Sequence, residues 1–439
     1  MCHRNEFTTR AWLHAYPQGE LQQCLALKTP LLLHQPVKKT MTIAAYIHLP
    51  FCRRRCFYCD FPITVVGESP TLAQSLIQEY VAALCQEIAH TPTEGQPLQT
   101  IFFGGGTPSL VPPPYLGQLL EALDRQLGIA LEAEISMEMD PGTFDLEQLQ
   151  DYLRLGVNRV SLGVQAFDDE LLRLCGRSHD VADVERAVEI IQRAGVANWS
   201  MDLISGLPQQ SLADWQCSLE QAIAFKPTHL SIYDLIIEPK TVFSKRYQPE
   251  AAPLPSQEQA AAAYHLAHEM LTAAGYDHYE ISNYAQGGFA CRHNQVYWRN
   301  QSYYGFGMGA TSYLQHRRLS RPRTRREYYQ WLQALPESLH QGSPDSLWDR
   351  WLETLMLGLR LRDGLSLPAL ADEFPASWVE ALQAAAAKIS PALLSLAGDR
   401  LHLTQPEGFL VANHVIVSLW QALEGSVFRQ QEGQPLPIH

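Results

Sequence analysis

The sequence lacks the features that mark two common classes of protein. It contains no run of about 18 apolar residues, which a helix needs to cross a bilayer, and its first residues contain no apolar signal core. It also lacks a basic excess, because 33 Lys and Arg residues stand against 46 Asp and Glu residues and the formal net charge is -13. Binding to nucleic acid needs a concentrated basic face. The sequence therefore predicts no membrane span and no nucleic-acid partner.

The nine cysteines lack the arrangement of a disulfide framework, since their number is odd and most are widely scattered. A protein that uses thiolates as metal ligands needs reducing conditions, so we expect a cytoplasmic location. The first 40 residues also lack a periodic pattern, and Met41 directly precedes the first predicted strand. Two interpretations of residues 1–40 remain open: they are an extension outside the native chain, which would start at Met41, or a real but loosely docked segment.

Three of the cysteines, Cys52, Cys56 and Cys59, stand close together on one predicted loop. Thiolates at this spacing can converge on one metal centre, but a tetrahedral zinc site or a fully ligated cubane needs a fourth protein ligand. The motif contains no fourth cysteine. Three thiolates would leave one iron of a [4Fe–4S] cluster open, and an open iron can bind a substrate. A zinc site completed by distant residues is the alternative.

Short β-rich runs alternate with segments of helical period, which is typical of βαβ units and a parallel sheet. We predict six strands, at residues 44–49, 100–103, 135–139, 160–164, 200–204 and 230–235. Six units fall short of the eight that close a full barrel. The predicted fold is therefore α/β, with a partial (β/α)6 barrel.

From about residue 345 the pattern changes to helices rich in Leu and Ala, then a hairpin and a last helix over 408–423. This order predicts a C-terminal, mainly helical domain of winged-helix type. We place the barrel and its extension at residues 41–340 and the C-terminal domain at 341–439.

Glycines and polar side chains follow the predicted strands at the positions where functional groups gather in barrels of this kind. Glu138 and Asp202 are suited to hold an ammonium group or ribose hydroxyls, although helix caps or ion pairs are alternatives. The glycine run after the second strand would let backbone groups approach a ligand closely. We expect one cavity to collect the whole set, which is Gly105, Gly106, Thr107, Glu138, Gln165 and Asp202.

The second half of the chain contains a histidine that aromatic residues follow closely. His293 precedes Tyr297 and Trp298. An imidazole with aromatic side chains around it is typical of a site that binds haem. A hydrogen-bonded structural histidine is the alternative. The glycine-rich run 305–309 predicts a tight backbone passage near the cavity.

One basic cluster lies in the same half of the chain. It contains Arg317, Arg318, Arg321, Arg323, Arg325 and Arg326. It predicts either a solvated loop or a site for porphyrin propionates, which guanidinium groups bind well.

Taken together, these motifs resemble the HemN/HemW branch of the radical S-adenosylmethionine (SAM) superfamily, from Tyr46 to about the C-terminus. The shared motifs include Tyr-Ile-His-Leu-Pro at 46–50, the cysteine triplet, Gly-Gly-Gly-Thr-Pro at 104–108, Gly-Val-Gln-Ala-Phe at 163–167 and Arg177 before Ser-His. The resemblance implies that Cys52, Cys56 and Cys59 hold a [4Fe–4S] cluster whose open iron binds SAM. It also implies SAM contacts from Tyr46, Gly105, Gly106, Thr107, Glu138, Gln165, Arg177 and Asp202.

Within this branch the chain resembles the haem chaperones rather than the coproporphyrinogen III dehydrogenases. The dehydrogenases carry a further cysteine two positions after the triplet, where this chain has Phe61. The His-Asn-Gln-Val-Tyr-Trp run at 293–298 and the run 357–364 also match the chaperones. The resemblance implies haem binding, with His293 as a candidate ligand, and delivery to an acceptor protein. It names neither the acceptor nor an electron donor. The alternative is oxygen-independent oxidation of coproporphyrinogen III through a radical cleaved from SAM.

Overall fold

The computed structural model describes residues 42–67, 70–93, 95–249, 251–335 and 344–432. The candidate extension at residues 1–40 and the possible start at Met41 lie outside these ranges. Among the described residues, no helix combines the length and the apolar character that crossing a membrane requires.

The strands in chain order are β1 (Ala44–Leu49), β2 (Phe51–Cys52), β3 (Thr64–Val65), β4 (Leu98–Gly105), β5 (Ile129–Met139), β6 (Arg159–Gln165), β7 (Trp199–Ser205), β8 (His229–Asp234), β9 (Asp277–Glu280), β10 (Asn283–Ala285), β11 (Tyr304–Phe306), β12 (Thr311–Leu314), β13 (Arg317–Ser320), β14 (Leu365–Ser366), β15 (Leu394–Ala397) and β16 (Arg400–Leu403).

The helices in chain order are α1 (Pro70–His90), α2 (Pro113–Leu127), α3 (Leu146–Arg154), α4 (Asp169–Leu174), α5 (Val181–Ala194), α6 (Leu212–Phe225), α7 (Val242–Arg246), α8 (Gln257–Ala273), α9 (Arg292–Trp298), α10 (Arg325–Gln333), α11 (Leu347–Gly358), α12 (Leu367–Glu373), α13 (Ala376–Ala386), α14 (Glu407–Leu410) and α15 (Ala412–Glu432). A short 3-10 helix, Pro108–Leu110, follows β4.

One sheet organises the first three quarters of the chain, with the order β11-β1-β4-β5-β6-β7-β8-β10-β9. The six strands from β1 to β8 in this order are parallel, as the sequence predicts. Beyond the prediction, β11 pairs in parallel outside β1, and β10 and β9 add antiparallel strands at the other edge. These three additions are three or four residues long, too short to show a period in the sequence.

Helices cover the outer face of the sheet because the strands are apolar on both faces. All seven residues of β6 are buried. Helix α5 shows the local logic: Asp180 caps its N-terminus in a capping box, and Gly195 ends it in a left-handed conformation. Its apolar stripe of Val184, Val188 and Ile191 packs into the core.

The C-terminal region has a second apolar core, built around side chains such as Trp351, Leu382 and Leu419. Its three strands form a small sheet in the order β14-β16-β15, which provides the predicted hairpin. The predicted last helix is divided into the short α14 and the long α15. The region is mainly helical, as predicted, and the boundary at residue 340 stays a prediction.

The interpretation of the basic cluster as a solvated loop is wrong for two of its arginines. Arg321 is 3% exposed, and its Nε donates to Glu87 Oε1 at 2.7 Å. Arg318 pairs with Glu353 at 2.7 Å and with Asp345 at 3.2 Å. These charges are neutralised inside the protein and are not offered to a propionate.

The run 305–309 is a tight backbone passage, as predicted. A Cβ atom on Gly305 would collide with the carbonyl oxygen of Thr311, and one on Gly309 would collide with the Pro62 ring. The run forms part of the edge strand β11 and the turn after it. Gly309 lies against Pro62, whose neighbours Phe61 and Ile63 line the cavity described below, so the run passes near the cavity, as predicted, without lining it.

Candidate functional site

The carboxyl ends of the parallel strands open into one cavity whose empty space, including its mouth, is about 1230 Å³. Side chains from the loop after β1 and from the ends of β4, β5, β6, β7 and β8 line it. Ten of the residues singled out in the sequence are among them: Cys52, Cys56, Cys59, Gly105, Gly106, Thr107, Glu138, Gln165, Arg177 and Asp202. The parallel topology therefore brings together positions that are up to 150 residues apart in the chain.

Hydrogen bonds hold the cysteine loop in a defined shape over the cavity. β2 pairs with β3 at the base of the loop, where the Val66 amide donates to the Cys52 carbonyl at 2.9 Å. Arg55 closes the loop, because its Nη1 donates to the carbonyl oxygens of Cys59 at 3.2 Å and Phe61 at 2.9 Å. The loop is thus fixed by its own backbone.

An ion pair lies beneath the cysteine sulfur atoms. Arg177 Nη2 donates to Asp140 Oδ1 at 2.5 Å and to the Gly163 carbonyl at 3.0 Å, and its Nη1 lies 3.4 Å from Cys56 Sγ. Thr107 Oγ1 lies 3.0 Å from Asp140 Oδ2 and 3.7 Å from Cys52 Sγ. The ion pair therefore holds a guanidinium group next to the cysteine loop.

Gly163 makes room for this arrangement. A Cβ atom there would lie 2.8 Å from Asp140 Oδ1 and 3.0 Å from Gln165 Nε2. Gln165 itself has a φ of 72°, in the left-handed region that residues other than glycine rarely adopt. Such strain at a cavity-lining residue is typical of functional positions.

Two carboxylates face the same cavity from β5 and β7. Glu138 Oε2 accepts from the Gly105 amide at 3.0 Å. Asp202 lies 3.1 Å from Ser161 Oγ through both of its oxygens, and burial raises its pKa above the ordinary value. The two carboxylates can accept hydrogen bonds from a polar ligand that enters the cavity.

Comparison with known proteins decides the family. The model of the radical SAM superfamily matches residues 46–222, and that of the HemN C-terminal domain matches residues 345–410. A protein of Synechocystis named heme chaperone HemW is 49% identical over 405 residues, which cover 88% of this chain and 98% of that protein. The heme chaperone HemW of Bacillus subtilis is 36% identical, over 75% of this chain and 86% of its own length. The chain belongs to the HemW family.

A solved relative shares the fold of this HemW-family chain. Coproporphyrinogen III oxidase (HemN) from Escherichia coli superimposes with a TM-score of 0.73 at 22% identity, over 87% of this chain and 90% of that one. At this identity the likeness establishes the architecture and not the reaction. The partial radical SAM barrel with a helical C-terminal region is thereby confirmed.

Membership of the radical SAM superfamily implies a [4Fe–4S] cluster and SAM. The residues present fit both groups. Three thiols share one loop at the cavity, and burial raises the pKa of Cys52 and raises that of Cys59 to about 11. Without a metal these two thiols are neutral, so metal binding would release protons.

The zinc alternative finds no support in the described part of the chain. No three His, Cys, Asp or Glu side chains there converge as ligands of a single metal ion. In a cubane each cysteine binds a different iron, so the sulfur atoms need not meet at one point.

The sequence suggested that the glycine run would bring its backbone groups close to a ligand. In the structure the amides of Gly105 and Gly106 are instead used in internal hydrogen bonds. The amide of Gly106 donates to the Leu49 carbonyl at 2.8 Å, and the amide of Gly105 donates to the Glu138 carboxylate at 3.0 Å. A Cβ atom on Gly106 would lie 2.6 Å from the carbonyl oxygen of Phe51. In this HemW-family protein Gly106 is required by the close approach of Phe51, at the start of the cysteine loop. Gly105 has a φ of 114°, and a Cβ atom there would collide with the His48 ring.

Tyr46 lies beneath the cavity rather than in its lining, with 1% of its surface exposed. Its hydroxyl is 3.0 Å from His48 Nδ1, and His48 Nε2 is 2.8 Å from the Pro62 carbonyl. A carbonyl only accepts, so Nε2 carries the proton and, in the neutral ring, Nδ1 accepts from Tyr46. Tyr46 therefore supports the cysteine loop through His48.

His293 is buried away from the cavity, and the structure supports the hydrogen-bonded alternative for it. Its Nδ1 is 2.8 Å from Thr100 Oγ1, and its Nε2 is 2.8 Å from the Tyr297 hydroxyl. The exposed fraction of the residue is 0%. Since both ring nitrogens are occupied, neither can bind iron in this conformation.

Several cavity residues were missed in the sequence. They are Asp140, Ser161 and Glu238. Asp140 lies two residues after Glu138, which the sequence did single out, so that neighbour was the available signal. The others carry no sequence signal of their own.

Proposed function

We propose that this protein binds haem and transfers it to an acceptor protein, with a [4Fe–4S] cluster and SAM in the strand-end cavity. The observation that carries the proposal is 49% identity over 98% of the length of a protein named heme chaperone HemW. Identity at this level over most of both chains supports a shared architecture and a shared function. The cavity supports the cofactor part of the proposal by collecting the cysteine loop and polar strand ends.

In this proposal Cys52, Cys56 and Cys59 hold the cluster, and the fourth iron is open to the amino and carboxylate groups of SAM. When bound, the cluster supplies one-electron chemistry to SAM. Arg177 keeps a positive charge next to Cys56 and is held there by Asp140. The positioning is built into the fold before any ligand arrives.

The remaining cavity residues would receive SAM. Glu138 and Asp202 provide carboxylates for its ammonium group and ribose hydroxyls, and Gln165 provides an amide. Gly105, Gly106 and Thr107 shape the wall next to the cysteine loop, and Tyr46 acts from beneath it.

Phe61 is the residue that favours a chaperone over a coproporphyrinogen oxidase. It lines the cavity with an apolar ring. The family resemblance implies a cysteine at this position in the dehydrogenases. Delivery of haem to an acceptor protein and the cytoplasmic location stay predictions.

Anaerobic reconstitution with iron and sulfide, followed by two parallel assays, tests the proposal. The reconstituted protein should retain haem on gel filtration and show a Soret band. It should not convert coproporphyrinogen III to protoporphyrinogen when SAM and a reductant are supplied. Absence of haem retention, or turnover of coproporphyrinogen III, would contradict the proposal. Exposed Cys217→Ala is the matched control for loss of any one of the three motif cysteines.

A further inference from the structure

A second, basic pocket lies far along the chain from the cysteine loop, between the end of α9 and the hairpin of β15 and β16. Its empty space, including the open mouth, is about 1060 Å³, and it is lined by Arg299, Arg362, Asp363, Ala397, Arg400 and His402. Ala397 pairs with Arg400 in the hairpin, and Ser395 pairs with His402. Because side chains alternate along a strand, Ala397, Arg400 and His402 share one face, which forms one wall of the pocket.

Two of the three guanidinium groups have no carboxylate partner among the described residues. Arg299 Nη2 donates to Gln295 Oε1 at 2.7 Å. Arg400 donates to the carbonyl oxygens of Asp363 at 2.7 Å and Gly364 at 3.2 Å. These neutral acceptors orient the arginines and leave their charges uncompensated.

The third arginine is only weakly compensated. Arg362 lies 3.5 Å from Asp277 and 3.4 Å from Asp363, and both carboxylates are 63% exposed, so water screens these pairs. Three arginines stand against Asp363 in the lining and Asp277 beside it, so the pocket carries a net charge of +1. This is a local departure in a chain whose net charge is -13.

The distribution of arginine partners distinguishes this pocket from the basic cluster at 317–326. There, Arg318 and Arg321 are neutralised by buried carboxylates. At the pocket the guanidinium groups of Arg299 and Arg400 are oriented by neutral acceptors and can still bind a carboxylate through two hydrogen bonds. A concave wall suits a small ligand better than a flat protein surface.

We propose that Arg299, Arg362 and Arg400 bind the two propionate carboxylates of haem. The inference rests on the proposed function, because it says which arginines hold the propionate groups of the haem that the protein binds. His293 does not enter it, and no iron ligand is assigned by it.

The test compares haem with haem dimethyl ester, which has the same macrocycle and iron but no free carboxylates. Each is titrated into reconstituted wild type, into Arg299→Gln with Arg400→Gln, and into the single Arg299→Gln variant. The matched control is Arg173→Gln with Arg193→Gln, which removes two exposed charges elsewhere. Circular dichroism and thermal unfolding check that the variants are folded.

Wild type should bind haem about tenfold more tightly than the ester, which corresponds to two exposed ion pairs. The double variant should lose that preference, the single variant should lose part of it, and the control should keep it. Raising the salt concentration should reduce the preference in wild type and in the control, and it should have no such effect in the double variant.

Equal affinity of wild type for haem and ester would overturn this inference but not the proposed function. The arginines would then be candidates for binding an acidic partner protein. An undiminished preference in the folded double variant, or in Arg299→Gln if the double variant fails to fold, would also overturn this inference. If wild type bound neither ligand, the proposed function would fail, and this inference with it.

Discussion

The ion pair of Arg177 and Asp140 offers a quantitative test of how the cysteine loop is supported. The two side chains are 7% and 21% exposed, and their closest atoms are 2.5 Å apart. Removing one partner from a buried ion pair costs about 3–5 kcal/mol, because the other charge is left uncompensated. Since Asp140 keeps part of its surface in water, we expect Arg177→Gln to lower the free energy of unfolding by about 2–3 kcal/mol.

A double-mutant cycle with Asp140→Asn separates the pair from its surroundings. Urea unfolding of the cluster-free protein under anaerobic conditions, followed by circular dichroism, supplies the free energies. The double variant should be less destabilised than the sum of the single variants by about 1.5 kcal/mol or more. The exposed pair of Arg154 and Asp151 is the control, and its coupling should stay below about 1 kcal/mol. A coupling at the cavity no larger than that of the control would refute the reasoning.

Four further experiments address the site and its surroundings. Replacing any one of the three motif cysteines with Ala should abolish the iron–sulfur absorbance, whereas Cys217→Ala should leave it unchanged. Glu138→Gln should weaken SAM binding about tenfold at equilibrium dialysis, with the cluster spectrum intact; unchanged affinity would remove this carboxylate from the site. His293→Ala should leave the Soret band in place but lower the free energy of unfolding by about 2–4 kcal/mol, because two buried hydrogen bonds are lost; a shifted Soret band would instead point to ligation. Burial raises the pKa of Glu280 from 4.5 to about 7, so the folded protein keeps a proton that the unfolded chain releases. Its contribution to the free energy of unfolding is therefore fully present below pH 4.5 and is lost as the pH rises through 7. Over this range the wild type should lose up to about 3 kcal/mol more than Glu280→Gln. Free energies of unfolding that change in parallel with pH in the two proteins would disprove this.

The sequence alone determined the features that local patterns encode. The six parallel strands follow from β-rich runs that alternate with amphipathic helices, and strands of this length leave a clear period. The cysteine loop was evident because its three thiols lie within eight residues of one another. The gathering of Glu138, Gln165 and Asp202 in one cavity also followed, because the topology of a parallel sheet fixes where the strands end.

Only the tertiary structure decided which polar groups those side chains meet. Arg321 is neutralised by Glu87, 234 residues earlier, and His293 is hydrogen-bonded to Thr100, 193 residues earlier. A sequence pattern reports burial and period along one segment, whereas such a partner is set by the packing of segments that are distant in the chain. For the same reason the sequence offered a basic cluster and a candidate haem ligand, whereas in the fold Arg318, Arg321 and His293 make internal contacts. Arg299 and Arg400 remain without a carboxylate partner at the pocket beside β16.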